Sequence, residues 1–481
     1  MALAYTLTVA YTLTLACSLA LLGAAGAADP GLVVRITQKG LDYARQQGIS
    51  VLQQRLSTLH LPDYSGSYDV GILGDVKYHI NSMTITNFQL PSSQVTLLPN
   101  VGLKLSISGA YIEIHGKWGV RYLFVSTDGD FELKVLGISI SVGLSLGSDG
   151  SGRPTISASG CSAHISDMDV HFSGGLDWLI NLFDDAIASS LKDNLQNQIC
   201  PLVVDSVKNQ LEPVLRTLPV TAKIDDVADI DYSLTGPPFV TAENLDVPLK
   251  GEFFERAHRS PPPFSPHPLS VPDDHSLMVY FAVSDYLFNT AGFVYQSAGK
   301  LVFNLTDDMI PKDFPVRLNT SSFGKMIPQL SKMYPDMLMK LQISSPSAPS
   351  LAMEPGNVTI SPVVDIQAYA ILPNSSLAPL FLLNLSTNAV AKVGVNSSRI
   401  VGYLELSSIK ISLEESSVGP FPVDLLSYAV NFYLSHILLP RVNEIFRNGY
   451  PLPLLDHIQL SNVMLKIDEH YILLGADVKY E

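Results

Sequence analysis

Five residues, Gly143-Leu144-Ser145-Leu146-Gly147, spell the G-x-S-x-G pattern that in some hydrolases carries a nucleophilic serine. That chemistry needs the serine on a sharp turn between a strand and a helix, where its hydroxyl is pushed out towards a base. Here the serine falls inside Ser139 to Leu146, a stretch of nearly pure period two with Ile140, Val142, Leu144 and Leu146 on one face, followed by turn residues. The pattern therefore reads as a strand, and no nucleophile is expected. A second constellation is His164, Asp167, Asp169 and His171. In a strand Asp167, Asp169 and His171 share a face and His164 points away. Three donors on one face could hold a metal, but a solvated outer face is the commoner outcome, and no fourth ligand stands at a sensible spacing. No Gly-rich phosphate loop, zinc-protease motif or paired-carboxylate signature is present. Neither an enzyme nor a metal centre is expected.

The cysteines point to a compartment. Of three, Cys17 lies in residues 1–27, a segment without a charged side chain whose apolar run Leu13 to Gly23 leads into Ala24-Ala25-Gly26-Ala27. An apolar run of that length with small residues at Ala25 and Ala27 reads as a signal peptide cleaved after Ala27. Export puts Cys161 and Cys200 in an oxidising environment, where two lone cysteines most simply form one disulfide. The sequons at Asn304, Asn319, Asn357, Asn374, Asn384 and Asn396 all fall in the second half of the chain. A secreted, extracellular glycoprotein is expected, with granule storage as one form of that route.

What must position these residues is a large amount of sheet. Charged residues make up 16% of the 481, and hydrophobic residues 47%, which suits extended sheet with alternating faces. The formal charge is −15, with both halves of the mature chain acidic, so bulk electrostatics exclude a nucleic-acid binder. The chain reads as two similar halves. Each opens on a helical rhythm (Leu41, Ala44, Gly48, Val51, Leu52, Leu56; then Leu287, Ala291, Val294, Ala298), continues in alternating strands, and closes on a long amphipathic helix. The first closing helix is expected over 176–216, with Leu191, Leu195, Ile199, Val203 and Val207 on its stripe, and the second over Val423 to Phe446. Between the halves runs Ser260-Pro261-Pro262-Pro263-Phe264-Ser265-Pro266-His267-Pro268, a semi-rigid spacer. A wide curved sheet cannot fill its own concave side, and a helix in its mouth leaves an apolar slot suited to acyl chains. A fully packed α+β core fits the same periodicity.

Particular words carry a family resemblance. They include Asp29-Pro30-Gly31-Leu32-Val33-Val34-Arg35-Ile36-Thr37, Leu61-Pro62-Asp63-Tyr64-Ser65, Phe88-Gln89-Leu90-Pro91-Ser92-Ser93-Gln94, Gly116-Lys117-Trp118, Pro261-Pro262-Pro263-Phe264, Gly419-Pro420-Phe421-Pro422-Val423 and Leu439-Pro440-Arg441-Val442-Asn443-Glu444. In this order, over essentially the whole mature chain, they resemble the bactericidal/permeability-increasing and lipopolysaccharide-binding protein family, nearest its bactericidal/permeability-increasing branch. The resemblance implies an α+β fold: an elongated boomerang of two β-barrels, each with long amphipathic helices, joined by a central antiparallel sheet and the proline-rich linker. The expected layout is a signal peptide over 1–27, an N-terminal barrel over 28–235, a central-sheet strand and linker over 236–270, and a C-terminal barrel with the last central-sheet strands over 271–481. The resemblance also implies a Cys161–Cys200 disulfide, a phospholipid in each barrel and no other cofactor. It further implies an innate-immune, antibacterial role through binding of lipid A at basic loops on the tip of the N-terminal barrel.

At that tip the charges depart from the bactericidal pattern. Asp69 and Asp75 stand where clustered lysines follow the Pro-Asp-Tyr-Ser word, leaving Lys77. In the second tip segment Lys117 and Arg121 remain beside Trp118, so Lys77, Lys117, Trp118 and Arg121 are the expected lipid A contacts. Phosphates ask for Arg or Lys. Local recognition is expected, whereas long-range attraction to a bacterial surface is weak or reversed. The expected partners are lipopolysaccharide, phospholipids and the bacterial outer-membrane surface, met by a monomer. The competing reading is an extracellular lipid carrier or transfer protein without bactericidal activity.

Overall fold

The computed structural model describes residues 29–56, 61, 63–69, 75–175, 184–314, 316–396, 398–454 and 458–480. The expected export segment 1–27 and the first turns of the helix expected from 176 lie outside them.

The N-terminal half is one curled antiparallel sheet. Its strands are β2 (Tyr64–Asp69), β3 (Asp75–Gln89), β4 (Ser92–Leu98), β5 (Gly102–Tyr122), β6 (Val125–Ser148) and β7 (Pro154–Ser173), after a β1 (Leu32–Thr37) that belongs elsewhere. The order is β2-β3-β5-β6-β7, with β4 on the first half of β5 and β3 on the second. Strands of 20 to 24 residues, such as β6 and β7, are far longer than the usual five or six. They can be so long because alternation holds throughout, so one face buries Ile80, Ile114, Phe131, Leu133 and Ile165 while the other meets solvent. The helix Asp184–Ser206 lies along β7, with Leu191 buried and Leu195 and Ile199 packed on the same cluster. A π-turn, Val207–Leu211, then shifts the helix register before Glu212–Arg216. Val207 turns inward, whereas Leu202, Val204, Leu211 and Val214 are left exposed.

The Cys161–Cys200 disulfide joins this helix to the sheet across a Cα–Cα distance of 5.7 Å. Cys161 lies in the middle of β7 and not at a strand end, so the bond clamps the helix over the sheet's face. Closing a loop of this length constrains the unfolded chain by about 4 kcal/mol.

The C-terminal half repeats the plan. Its eight-stranded sheet runs in the order Val302–Thr306, Met339–Ser344, Val363–Ile371, Leu377–Asn396, Asn357–Ser361, Ser350–Glu354, with Arg399–Ser416 beside the fourth and Tyr450–Pro451 beyond it. Its closing helix is again broken by a π-turn: Ser427–Tyr433, then Leu434–Leu438, then Leu439–Asn448. Leu426, Val430, Leu434 and Ile437 are buried, the stripe that the period predicts.

A third, six-stranded antiparallel sheet joins the halves. Its order is Phe239–Val240, Asn244–Leu249, β1, Val279–Ser284, Tyr471–Tyr480, Ile458–Asp468. The earliest described strand thus sits between segments more than 200 residues downstream. Arg35 of β1 makes a two-pronged ion pair with Asp246, both contacts 2.7 Å, and donates to the carbonyls of Val271 and Pro272, tying the end of the linker to the sheet. Earlier in the linker Arg259 pairs with Asp231 and lies over the Phe254 ring. The fold is therefore α+β and sheet-rich, two curled sheets with long helices about a central antiparallel sheet. Among the described residues no helix is long and apolar enough to cross a membrane.

Candidate functional site at the β5–β6 hairpin

Register decides what the far end of the N-terminal sheet can bind. Lys77 of β3 faces Arg121 of β5, His79 faces Gly119, and Asn81 faces Lys117. On the other side of β5, Arg121 faces Ser126, Gly119 faces Asp128, and Lys117 faces Asp130. With side chains alternating, all nine positions fall on one outer face. Lys77, Lys117 and Arg121 are exposed there, and among the described residues none has an ion-pair partner within 4.0 Å. Gly119 is needed at the centre, because a Cβ there would collide with the His79 ring. The ring occupies the space it leaves.

Lys77, His79, Lys117 and Arg121 line a cleft of about 810 Å³, with Asn81, Trp118 and Asp128 also in its wall. Such a volume holds a drug-sized or larger group. Trp118 belongs to the opposite face of β5. It is 3% exposed, stacked edge-on against Phe172 at 5.6 Å, and its indole N–H donates to the carbonyls of Asp130 and Ser173. With its donor committed, it fixes the three strands relative to one another.

Beyond the cations the hairpin turns in two residues, Leu123 and Phe124, between Tyr122 and Val125. Leu123 has φ 50°, the left-handed region in which such turns favour Asn or Gly. It is 64% exposed, and Phe124 is fully exposed. Two large apolar side chains in solvent, one in strained backbone, stabilise nothing in the fold. They crown the cationic cleft, and the sequence reading missed them because apolar residues next to a strand pattern read as core.

The other sequence candidates are not gathered into sites. Ser145 lies within β6 opposite Ser157, with strand on both sides and no elbow. His164, Asp167, Asp169 and His171 are all exposed on β7, and Lys134 of β6 faces Asp169. They form no cluster of metal-ligand atoms among the described residues. Of the sequon asparagines, Asn304, Asn374 and Asn396 are exposed. Asn319 caps a helix by accepting from the Ser322 N–H, Asn357 donates to Thr359, and Asn384 donates to Asp365. In the C-terminal half an apolar gap lined by Phe288, Met353, Ile400 and Phe446 encloses about 20 Å³, the room of about one water.

The chain matches two family models in tandem: the N-terminal domain of the LBP / BPI / CETP family over residues 40–217 and its C-terminal domain over 222–480. It belongs to that family. The human lipopolysaccharide-binding protein is 46% identical over 453 residues, 94% of each chain. The rat bactericidal permeability-increasing protein is 41% identical over 463 residues, 96% of each. A crystal structure of lipopolysaccharide binding protein superposes with a TM-score of 0.65 at 43% identity, covering 94% of this chain and 99% of that one.

Proposed function

We propose that this LBP / BPI / CETP family member is a secreted, non-enzymatic lipid-binding protein of innate immunity that holds the phosphorylated headgroup of lipopolysaccharide in the β3–β5 cleft. The observation that carries the reading is the face shared by Lys77, Arg121 and Lys117, three exposed cations without ion-pair partners among the described residues. Charge-assisted contacts from Lys and Arg are what lipid A phosphates require. Trp118 backs the strands that present them. Leu123 and Phe124 then dip into acyl chains once the headgroup is seated, each giving about 1.5–3 kcal/mol on burial.

Phospholipid occupies the seam between each long helix and its curled sheet in this reading. Supporting it are the exposed Leu202, Val204, Leu211 and Val214, apolar side chains along a helix that already lies on the sheet. The 20 Å³ gap in the C-terminal half admits no acyl chain unless helix and sheet part. The protein acts as a monomer, with glycan on the exposed Asn304, Asn374 and Asn396 of its C-terminal half. The Cys161–Cys200 bond fits an oxidising, extracellular setting. A second reading, a lipid carrier without antibacterial action, is favoured by the net charge of −15 and by Asp128 and Asp130 on the same face as the cations. Titration against lipopolysaccharide and against neutral phosphatidylcholine vesicles separates the two. Preference for lipopolysaccharide supports the first, and equal affinity or preference for the neutral vesicles replaces it with the second.

A further inference from the structure

Three residues distant in sequence meet at the joint between the halves. His267 comes from the proline-rich linker, Asp285 opens the helix Asp285–Ser297, and His470 sits in the turn between Ile458–Asp468 and Tyr471–Tyr480. Their ligating atoms all lie within 4.8 Å of one another. The two imidazole rings stack, 4.0 Å between centroids and 21° between planes. Both present Nδ1 to the same carboxylate, His470 at 3.1 Å from Oδ2 and His267 at 3.9 Å from Oδ1. Asp285 is 6% exposed, whereas both imidazoles reach solvent.

A buried carboxylate is ordinarily matched by a cation. Among the described residues no lysine or arginine lies within ion-pair distance of Asp285; its charged-type neighbours are the two histidines. The N-terminus of its own helix offsets part of the charge. The rest falls to whatever the stacked imidazoles hold.

We propose that His267, Asp285 and His470 bind a divalent transition metal ion, Zn²⁺ by the character of the donors, with water completing the open side. Two imidazole nitrogens and one carboxylate oxygen suit Zn²⁺, whereas Ca²⁺ and Mg²⁺ call for about six or more oxygens. Around a tetrahedral Zn²⁺ with bonds of about 2.0–2.1 Å, donor atoms stand about 3.3 Å apart. His470 Nδ1 and Asp285 Oδ2, 3.1 Å apart, match that value, and His267 Nδ1, 3.9 Å from Oδ1, reaches it only by turning its exposed ring out of the stack, so that both ring planes contain the ion.

Two of the three donors are held in place by backbone. The Asp285 N–H donates to the His470 carbonyl at 2.9 Å, and the His470 N–H donates to the Met353 carbonyl at 3.1 Å. His470 keeps a left-handed backbone, φ 67°, to aim its ring inward. Its Nε2 lies 3.9 Å from the exposed Glu469 carboxylate. His267 stands between Pro266 and Pro268, which restrict the linker around it. A bound ion would staple the linker to the last hairpin of the central sheet. A second group, Glu243, Asp273 and His275, is exposed throughout and offers a single imidazole, so it serves as the control.

The test uses the full mature chain without a histidine tag, stripped with a chelator and titrated with Zn²⁺ by calorimetry and with Co²⁺ by visible absorption. Expected are one Zn²⁺ per chain, Co²⁺ bands of a four-coordinate nitrogen–oxygen site, a rise in Tm with Zn²⁺, and none of these with Ca²⁺. His267→Ala and His470→Ala should each weaken Zn²⁺ roughly tenfold or more, since losing even the outer support of a ligand costs about that much. His275→Ala should leave affinity unchanged. His267 is exposed on the linker, so its variant remains informative even where Asp285→Asn fails to fold. Absence of saturable Zn²⁺ binding, or binding that survives both His267→Ala and His470→Ala, overturns the site.

Discussion

Replacing Arg121 by alanine should weaken lipid A binding and, in the same molecule, stabilise the fold without ligand. Arg121 and Lys77 face each other across β5 and β3, both exposed. Like charges directly opposite on a sheet cost about 0.2–1 kcal/mol, which the free protein recovers when one is removed. A charge-assisted hydrogen bond to phosphate contributes about 1.5–3 kcal/mol, so loss of one raises Kd by roughly 10- to 150-fold. Lys77→Ala should behave alike. Lys117 faces Asp130 instead, so Lys117→Ala should weaken binding with no gain in stability. The Lys117→Ala/Arg121→Ala pair should lose about two to four orders of magnitude if the contacts are independent. Calorimetric titration with lipid A at two salt concentrations, beside thermal melts without ligand, reads both effects, and added salt should weaken the wild type more than the variants. An unchanged Kd in Arg121→Ala refutes the reasoning. A Tm that falls while Kd holds would make Arg121 a structural residue.

Leu123→Asn/Phe124→Ser should keep or raise Tm, because Asn suits the left-handed turn, while weakening capture of lipid A aggregates by about 10-fold or more per side chain lost. A lower Tm with unchanged capture would mean that the tip packs and does not insert. Cys161→Ser/Cys200→Ser should cost about 2–4 kcal/mol in urea unfolding; an unchanged midpoint would show the helix held by packing alone. Burial pushes the Asp231 carboxyl up, but hydrogen bonds from Ser233 and Arg259 outweigh it and hold it below the usual range. A depressed carboxylate adds stability above its unfolded value of about 3.9, lost as pH falls through the lower folded value. Arg259→Ala should therefore flatten the loss of stability as pH falls below about 4, and identical acid profiles would remove Asp231 as its cause.

The parts of this molecule legible in its sequence are those that periodicity controls. Ile140, Val142 and Leu144 place β6, and Leu426, Val430 and Leu434 place the second closing helix, because each element buries a single face. The central sheet was not legible in its pairings: β1 bonds to Asn244–Leu249 and Val279–Ser284, and nothing local in Leu32–Thr37 names partners so far away. At the tip, Lys117 and Arg121 could be picked out by charge, but setting Lys77 opposite Arg121 takes the strand register. The irregular pairing between Asn81 and Thr84 shifts that register. The Leu123-Phe124 turn was hidden because it contains neither Gly nor Asn, and the structure tolerates the strain at Leu123. Cys161 and Cys200 were legible because two lone cysteines in an exported chain have one simple pairing.

Phosphate recognition at the β3–β5 face carries the proposed function. Affinity of the wild-type protein for diphosphoryl, monophosphoryl and fully dephosphorylated lipid A with identical acyl chains tests it most directly. Stepwise weakening, about tenfold or more for each phosphate removed and largely abolished in Lys77→Ala/Arg121→Ala, is the predicted result. Equal affinity for all three lipids would contradict it.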